Sequence, residues 1–245
     1  IEFSDWSSDV CSSDLQDLAR CLLLPNRLYG IFSMGKELQI VHMKTKKLLL
    51  TPYIAKNAPD DSVVAMAVNS VNNSLFALGF NNGVVVEMDV SKGSFNSIDS
   101  HSRPIVSVGF IGQDIISMSD DGFLKYKGQC KRVSLGVLSF DICDQTILIV
   151  ERDCLSLYSL VNWEKVASWQ SSSPIVDAKF SCDGKFIVCV SRDRCTILKS
   201  ATLTTATYVL VSLVQSALNI QTNICTMAVS KVVPCQFVLS FVGGT

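Results

Sequence analysis

The sequence predicts an all-β chain of repeated antiparallel sheets, and three observations carry that prediction. Short runs rich in Val, Ile, Leu, Phe and Thr recur along most of the 245 residues, while Ala-rich windows with helical spacing are scarce. Turn signals separate the runs, among them Asn81-Asn82-Gly83, Asp120-Asp121-Gly122 and Asp183-Gly184. The order strand, Gly turn, strand, Asp turn, strand then returns about every forty residues, the period of an antiparallel β-propeller blade.

The repeat is clearest in residues 173–201, SPIVDAKFSCDGKFIVCVSRDRCTILKSA. Strands are expected over 175–180, 185–191 and 195–199. The first turn, Ser181-Cys182-Asp183-Gly184, is read as using both Asp183 and Gly184 for the positive φ of a tight hairpin. The second is built on Arg192-Asp193-Arg194. This is the core of a WD-repeat unit.

In chain order, the first unit is expected to place strands over 20–24, 28–34, 38–43 and 47–54, with Pro52 at an edge position. The second takes 63–68, 75–80, 84–90 and 95–98, with Met88-Asp89 where a standard repeat has Trp-Asp. The third starts at His101 and takes 105–110, 115–119 and 123–126. It is about ten residues short of the period, so its outer strand is expected to be lost, or residues around Lys127–Lys131 to have been dropped. The fourth takes 135–140, 146–151, 155–160 and 164–169, and the fifth adds 205–213 to the strands given above. A sixth begins with 224–229 and 236–241 and reaches Val242-Gly243-Gly244-Thr245, a turn before a third strand. The sum is an incomplete WD-repeat β-propeller of about five and a half blades over residues 16–245, read as part of a longer chain.

Residues 1–15 stand apart. Asp5–Leu15, DWSSDVCSSDL, reads as the conceptual translation of a sequencing-adapter end, and neither a basic start nor an apolar run marks a signal peptide. The segment is set aside as an artefactual leader, the alternative being a disordered native tail. Without it the acidic residues fall from 22 to 18 against 21 basic ones, and the formal net charge moves from −1 to +3. No basic block is evident, so neither direct nucleic-acid binding nor an anionic membrane surface is expected. A hydrophobic content of 48% is enough for a sizeable core, and no apolar run approaches the ~20 residues that span a bilayer.

Nine cysteines remain after the leader, and none forms a CxxC pair. They are read as buried, reduced thiols of an intracellular protein, with no metal site. His101 ahead of one strand and Asp120 or Asp121 in a later turn match the buried His–Asp hydrogen bond that braces a WD blade, with Ser119 as a bridge and Asp193 as the corresponding turn acid of the fifth unit. The competing reading, a His–Asp catalytic pair, lacks a nucleophile in matching register. His42 is read as an ordinary strand histidine. The acid pairs Asp60-Asp61, Asp120-Asp121 and Glu151/Asp153 fall at turns and strand ends, where acids are common. Trp163, Trp169, Tyr158 and Phe180 are read as core. Motifs GxGxxG, GxxxxGK[ST], HExxH and GxSxG are absent, and no cofactor is expected.

Residues 163–169 (WEKVASW) followed by 173–191 (SPIVDAKFSCDGKFIVCVS) resemble late blades of the Topless and Topless-related plant co-repressors, and 63–90 with 101–119 is similar to a preceding pair of blades. The resemblance implies a nuclear, non-catalytic scaffold whose propellers bind other proteins, transcription factors or co-repressor components. It also implies an N-terminal helical region, for which this sequence has no counterpart. The third-strand Trp of the repeat is replaced by Met88, Lys127, Tyr158 and Lys199, departures that fit a divergent paralogue or a truncated, non-functional gene product. The alternatives are another intracellular WD-repeat scaffold, in trafficking or ribosome assembly, and a propeller enzyme with carboxylates or His gathered at the central channel; the alternative compartment is the cytoplasm.

Overall fold

The computed structural model describes residues 18–23, 29–34, 37–42, 44–45, 47–50, 62–72, 74–192, 194–210, 224–230, 233 and 236–241. They divide into two compact units, Ile1–Leu135 and Gly136–Thr245. Asp60, Asp61, Asp193 and the leader lie outside the described residues.

The first unit holds three four-stranded antiparallel sheets. These are β1 (Leu18–Leu23), β2 (Tyr29–Met34), β3 (Glu37–His42) and β4 (Lys47–Leu50); β5 (Val63–Val68), β6 (Leu75–Phe80), β7 (Val84–Asp89) and β8 (Ser94–Ser100); and β9 (Ile105–Ile111), β10 (Asp114–Ser119), β11 (Phe123–Tyr126) and β12 (Gln129–Arg132). The second unit holds β13 (Val137–Cys143), β14 (Thr146–Glu151), β15 (Cys154–Ser159) and β16 (Lys165–Gln170); then β17 (Ile175–Phe180), β18 (Phe186–Ser191), β19 (Arg194–Lys199) and β20 (Thr204–Leu210); and the two-stranded pair β21 (Ile224–Val229) and β22 (Phe237–Phe241). Every sheet is a meander in sequence order, as short turns between antiparallel neighbours require.

The second strand explains the packing in the second to fifth sheets. Its side chains alternate between two faces, and both faces are covered over most of its length, so it reads as a largely apolar run. In β6, Phe76, Leu78 and Phe80 pack with Ile40 of the first sheet, while Ala77 packs with Ile105 and Val108 of the third. Gly79 lies on that second face. A Cβ there would meet Ile105 Cβ at 2.9 Å and Val108 Cγ1 at 3.1 Å, so glycine sets how closely the two sheets approach. In the second unit, Ile187 and Cys189 of β18 face Leu148, Val150, Leu155 and Leu157, while Val188 and Val190 face Met227. The outer strands β8, β12, β16 and β20 are mostly exposed.

One irregularity recurs in all six sheets. Each first strand carries one extra residue at its second position, unpaired with the second strand: Ala19, Val64, Val106, Leu138, Val176 and Cys225. A bulge at a fixed place bends and twists each first strand in the same way.

Among the described residues the expected strand bounds hold to within a few residues, while the expected strand residues 51–54, with Pro52, and 211–213 lie outside them; two corrections follow. The third sheet has its outer strand, the four-residue β12. It fits the short unit because Lys127 (φ 50) and Gly128 (φ 72) close β11 to β12 in a two-residue turn with positive φ at both positions. A second correction concerns the turn at 181–184. Only Gly184 takes positive φ there (67); Asp183 instead accepts hydrogen bonds from Ser181 Oγ (2.6 Å) and Lys185 N (3.2 Å).

Candidate functional site

The linkers between sheets bring the candidate residues into place. Three linkers among the described residues return to the turn between the second and third strands of the sheet before them. His101 N donates to Gly83 O (2.8 Å), Val133 N to Gly122 O (2.9 Å) and Ser171 N to Asp153 O (2.7 Å). Gly83 (φ 89) and Gly122 (φ 79) lie so close to those linkers that a Cβ would run into the carbonyls of His101 and Arg103, or of Ser134.

Docked in this way, His101 is 8% exposed, and its Nε2 shares a 2.9 Å hydrogen bond with Ser117 Oγ of β10. Ser119, the expected bridge, points elsewhere: its hydroxyl donates to Asp121 Oδ1 at 2.5 Å and lies 3.2 Å from Phe123 O. Asp120 accepts from Arg103 Nε (3.2 Å) and Nη2 (3.3 Å) at the surface. Asp121 also takes Ser102 Oγ at 3.5 Å. The structure therefore brings His101 to Ser117, and Ser119 to Asp121. The first pair was missed in the sequence, although a serine inside the apolar run Ile115-Ile116-Ser117-Met118 was the available signal.

His101 Nδ1 is buried with no hydrogen-bond partner. Burial holds the imidazole below its ordinary pKa, and the nearby Lys125 ammonium adds to the effect against the weaker pull of Asp99 and Asp121. A neutral ring with Nε2–H donating to Ser117 is the cheapest arrangement, since it leaves only a lone pair unmatched. Burial pushes the Asp121 carboxyl up, but the Ser119 hydroxyl and backbone N–H groups outweigh it and leave the pKa lowered.

Ser117 supplies the hydroxyl in register with His101 that the sequence reading did not find. The pair still lacks the marks of a nucleophile and its base. Ser117 is 2% exposed, and no third group holds the imidazole at Nδ1. The arrangement suits a brace inside the sheet.

Lys125 pairs in register with Ser117 across β10 and β11. Its ammonium reaches the second sheet, donating to Asp99 Oδ1 at 2.9 Å and Ser100 O at 2.6 Å. Asp89, which follows Met88, caps its own turn. It accepts from Ser91 Oγ (2.6 Å), Ser91 N (2.9 Å) and Lys92 N (3.3 Å), and the Ser91 hydroxyl foremost brings its pKa down to about 2.

Two carboxylates occupy the first strands of adjacent sheets in the second unit. Asp141 of β13 accepts from Phe180 N of β17 (2.8 Å), and Asp177 of β17 accepts from the adjacent Ala178 N (2.9 Å). Burial raises the pKa of Asp177, and Asp141 adds to this against the neighbouring Lys179. Asp141 holds the opposite strand, so it too acts as a brace. Among the described residues no three His, Cys, Asp or Glu side chains gather as a metal site would require, and no helix is long and apolar enough to cross a membrane.

The cysteines and aromatics need partial correction. Among the described cysteines Cys189 and Cys195 are buried, but Cys130 and Cys182 are exposed and Cys143 and Cys154 half-buried. Burial pushes the Cys189 thiol up to about 12 and the Cys195 thiol up to about 11. Tyr158 and Phe180 are core, Trp169 packs at the margin of a cluster, and Trp163 sits half-exposed in a turn at φ 59.

These repeated four-stranded meanders, with linkers that lock onto the preceding turn, form the WD-repeat β-propeller fold. A chain in the crystal structure of the mitotic checkpoint complex shares it, with a TM-score of 0.67 and 13% identity over 78% of this chain and 64% of that one. In sequence the chain is 24% identical over 197 residues to Protein TPR3 of Oryza sativa subsp. japonica. That match takes in 70% of this chain but only 17% of the relative's length. No protein-family model matches the chain.

Proposed function

We propose that this chain is a non-catalytic protein-interaction scaffold that serves as the propeller part of a Topless-like transcriptional co-repressor in the nucleus. Its partners on this reading are proteins, transcription factors or other co-repressor components, with no direct contact to nucleic acid or membrane. The observation that carries the reading is the similarity to Protein TPR3, a Topless-related protein, across 70% of the chain. The polar groups support it, because His101 with Ser117 ties a linker to a strand and Asp141 ties two first strands together.

The test is to tether the full chain to a heterologous DNA-binding domain upstream of a reporter, with a fluorescent tag to follow its compartment. Repression together with nuclear accumulation is the expected result. A cytoplasmic chain that leaves the reporter unchanged overturns the co-repressor reading. That result would favour a different WD-repeat scaffold, the reading to which the likeness to a chain of a multiprotein checkpoint complex points.

A further inference from the structure

We propose that Ser134 is a phosphorylation site, the substrate serine of a protein kinase that selects basic residues ahead of its target. The proposal stands apart from the scaffold reading, since it does not depend on what the propeller binds. Sequence, exposure and backbone geometry lead to it separately.

Residues 130–136 read CKRVSLG. Ser134 has cations three and two positions before it, Lys131 and Arg132, and an apolar residue, Leu135, just after it. Among all the serines and threonines of the sequence it is the only one with basic residues at both places. A kinase with carboxylates beside its catalytic cleft reads such a pattern, because each cation gains a charge-assisted hydrogen bond there. The pattern is a property of the sequence and holds whatever Lys131 touches in the fold.

The fold leaves the segment within reach. Arg132 ends β12, the outermost strand of its sheet, and is exposed, 5.8 Å from the centre of the Phe123 ring. Leu135 is 65% exposed, and a Cβ on Gly136 would meet nothing within 4 Å. Ser134 is half-buried, but its hydroxyl donates to the neighbouring Leu135 O at 3.4 Å, a long bond in an exposed setting that costs little to break.

Val133 and Ser134 belong to no strand. The main chain around the hydroxyl can therefore be drawn into a kinase cleft once the bond from Val133 N to Gly122 O (2.9 Å) opens. By contrast, Thr196, two residues after Arg194, is 3% exposed. Ser168, three residues after Lys165, is held in β16 opposite Ser156.

In the transfer, Ser134 Oγ bonds to the γ-phosphorus of ATP and the bond from that phosphorus to the β,γ-bridging oxygen breaks. ADP leaves, and the hydroxyl proton passes to a carboxylate of the kinase. The phosphate adds a charge of about −1.5 to −2 at pH 7. That cancels the two positive charges of Lys131 and Arg132 and turns a cationic stretch neutral.

The experiment is phosphate transfer from ATP to the folded full chain, using a purified basic-directed Ser/Thr kinase and an acid-directed one as control, with the site located by mass spectrometry. The basic-directed kinase is expected to add one phosphate, at Ser134. Ser134→Ala should abolish the transfer and Ser134→Thr should keep it. Arg132→Ala should slow it about tenfold or more. Each variant is checked for unchanged circular dichroism. The proposal is overturned if the folded chain takes no phosphate while a free peptide of residues 129–136 does, which would show that the fold hides Ser134. It is equally overturned if the phosphate falls on another residue, if Arg132→Ala changes nothing, or if the acid-directed kinase modifies Ser134 as fast. Each of these results leaves the scaffold reading untouched.

Discussion

The third and fifth sheets solve one packing problem in opposite ways. In the third, the linker contributes His101, the second strand Ser117 and the third strand Lys125. In the fifth, the positions that match by register hold Ser171, Cys189 and Thr196. The turn between second and third strands differs too. Asp120-Asp121-Gly122 needs a glycine at positive φ, while the corresponding sequence of the fifth sheet, Arg192-Asp193-Arg194, holds no glycine. The polar solution fixes its members by direction, and each member depends on the other. The fifth sheet's thiol sits in an apolar cluster and depends only on fit. One frame thus tolerates either chemistry, the polar one at the cost of an unmatched lone pair on His101 Nδ1.

The sharpest way to break this comparison is through the turns. Gly122→Val combines positive φ with a clash against the Ser134 backbone, and is expected to cost about 3 kcal/mol or more in denaturant unfolding. Arg192→Val in the fifth sheet's glycine-free turn should change stability by no more than about 0.5 kcal/mol. Equal losses from both would show that the glycine is not required.

Next in size is the polar pair. Ser117→Ala strands His101 Nε2 and should cost about 2 kcal/mol, while the double change His101→Ser with Ser117→Cys, which imports the fifth sheet's residues, should cost less than that single change. A double variant worse than Ser117→Ala would mean that the two solutions are not interchangeable. The reciprocal probe is Cys189→Ser, which places a hydroxyl among Leu148, Leu155 and Ile187 and should cost about 1 kcal/mol. Wild-type Cys189 should resist alkylation until the chain unfolds, whereas exposed Cys130 and Cys182 should react in the folded state.

The smallest effect has opposite signs in the two sheets. His101 titrates below its ordinary 6.5 when folded, so its contribution is full above 6.5 and is lost as pH falls through the folded value. Asp177 titrates above its ordinary 3.8 when folded, so its contribution is full below 3.8 and is lost as pH rises through the folded value. Acidification should therefore loosen the third sheet as pH falls from 6.5 toward the folded His101 value, and tighten the fifth as pH falls from the folded Asp177 value toward 3.8. Hydrogen exchange resolved by peptide, corrected for intrinsic rates, would measure this, and the same sign in both sheets would sink the idea.

Much of the fold was legible because both strands and turns leave local marks. Apolar runs and Asn-Gly or Asp-Gly turns placed β5, β6, β10, β14 and β21 to within a residue. β12 was missed because Gln129–Arg132 carries no apolar pattern, and its pairing is enforced by the turn at Lys127-Gly128. In the brace, His101 was legible from its place ahead of a strand. Its partner was expected to be Asp120 or Asp121, with Ser119 as a bridge; Ser117 and Ser119 lie two residues apart on one face of β10, so only the height at which the linker docks decides which of them meets the ring. The acids Asp141 and Asp177 lie 36 positions apart and were not paired in the sequence, because only the docking of β13 against β17 joins them.

The extra residue in each first strand has a consequence for how such a chain can change over generations. A strand has only two faces, so adding or deleting one residue turns over every side chain that follows. All six first strands spend their extra residue at the same offset. Two repeats can therefore exchange halves at matched positions and keep their apolar faces inward. The shared offset acts as a common reading frame for the array, under which its units can be recombined, duplicated or shed while each product still presents a foldable surface to its neighbours.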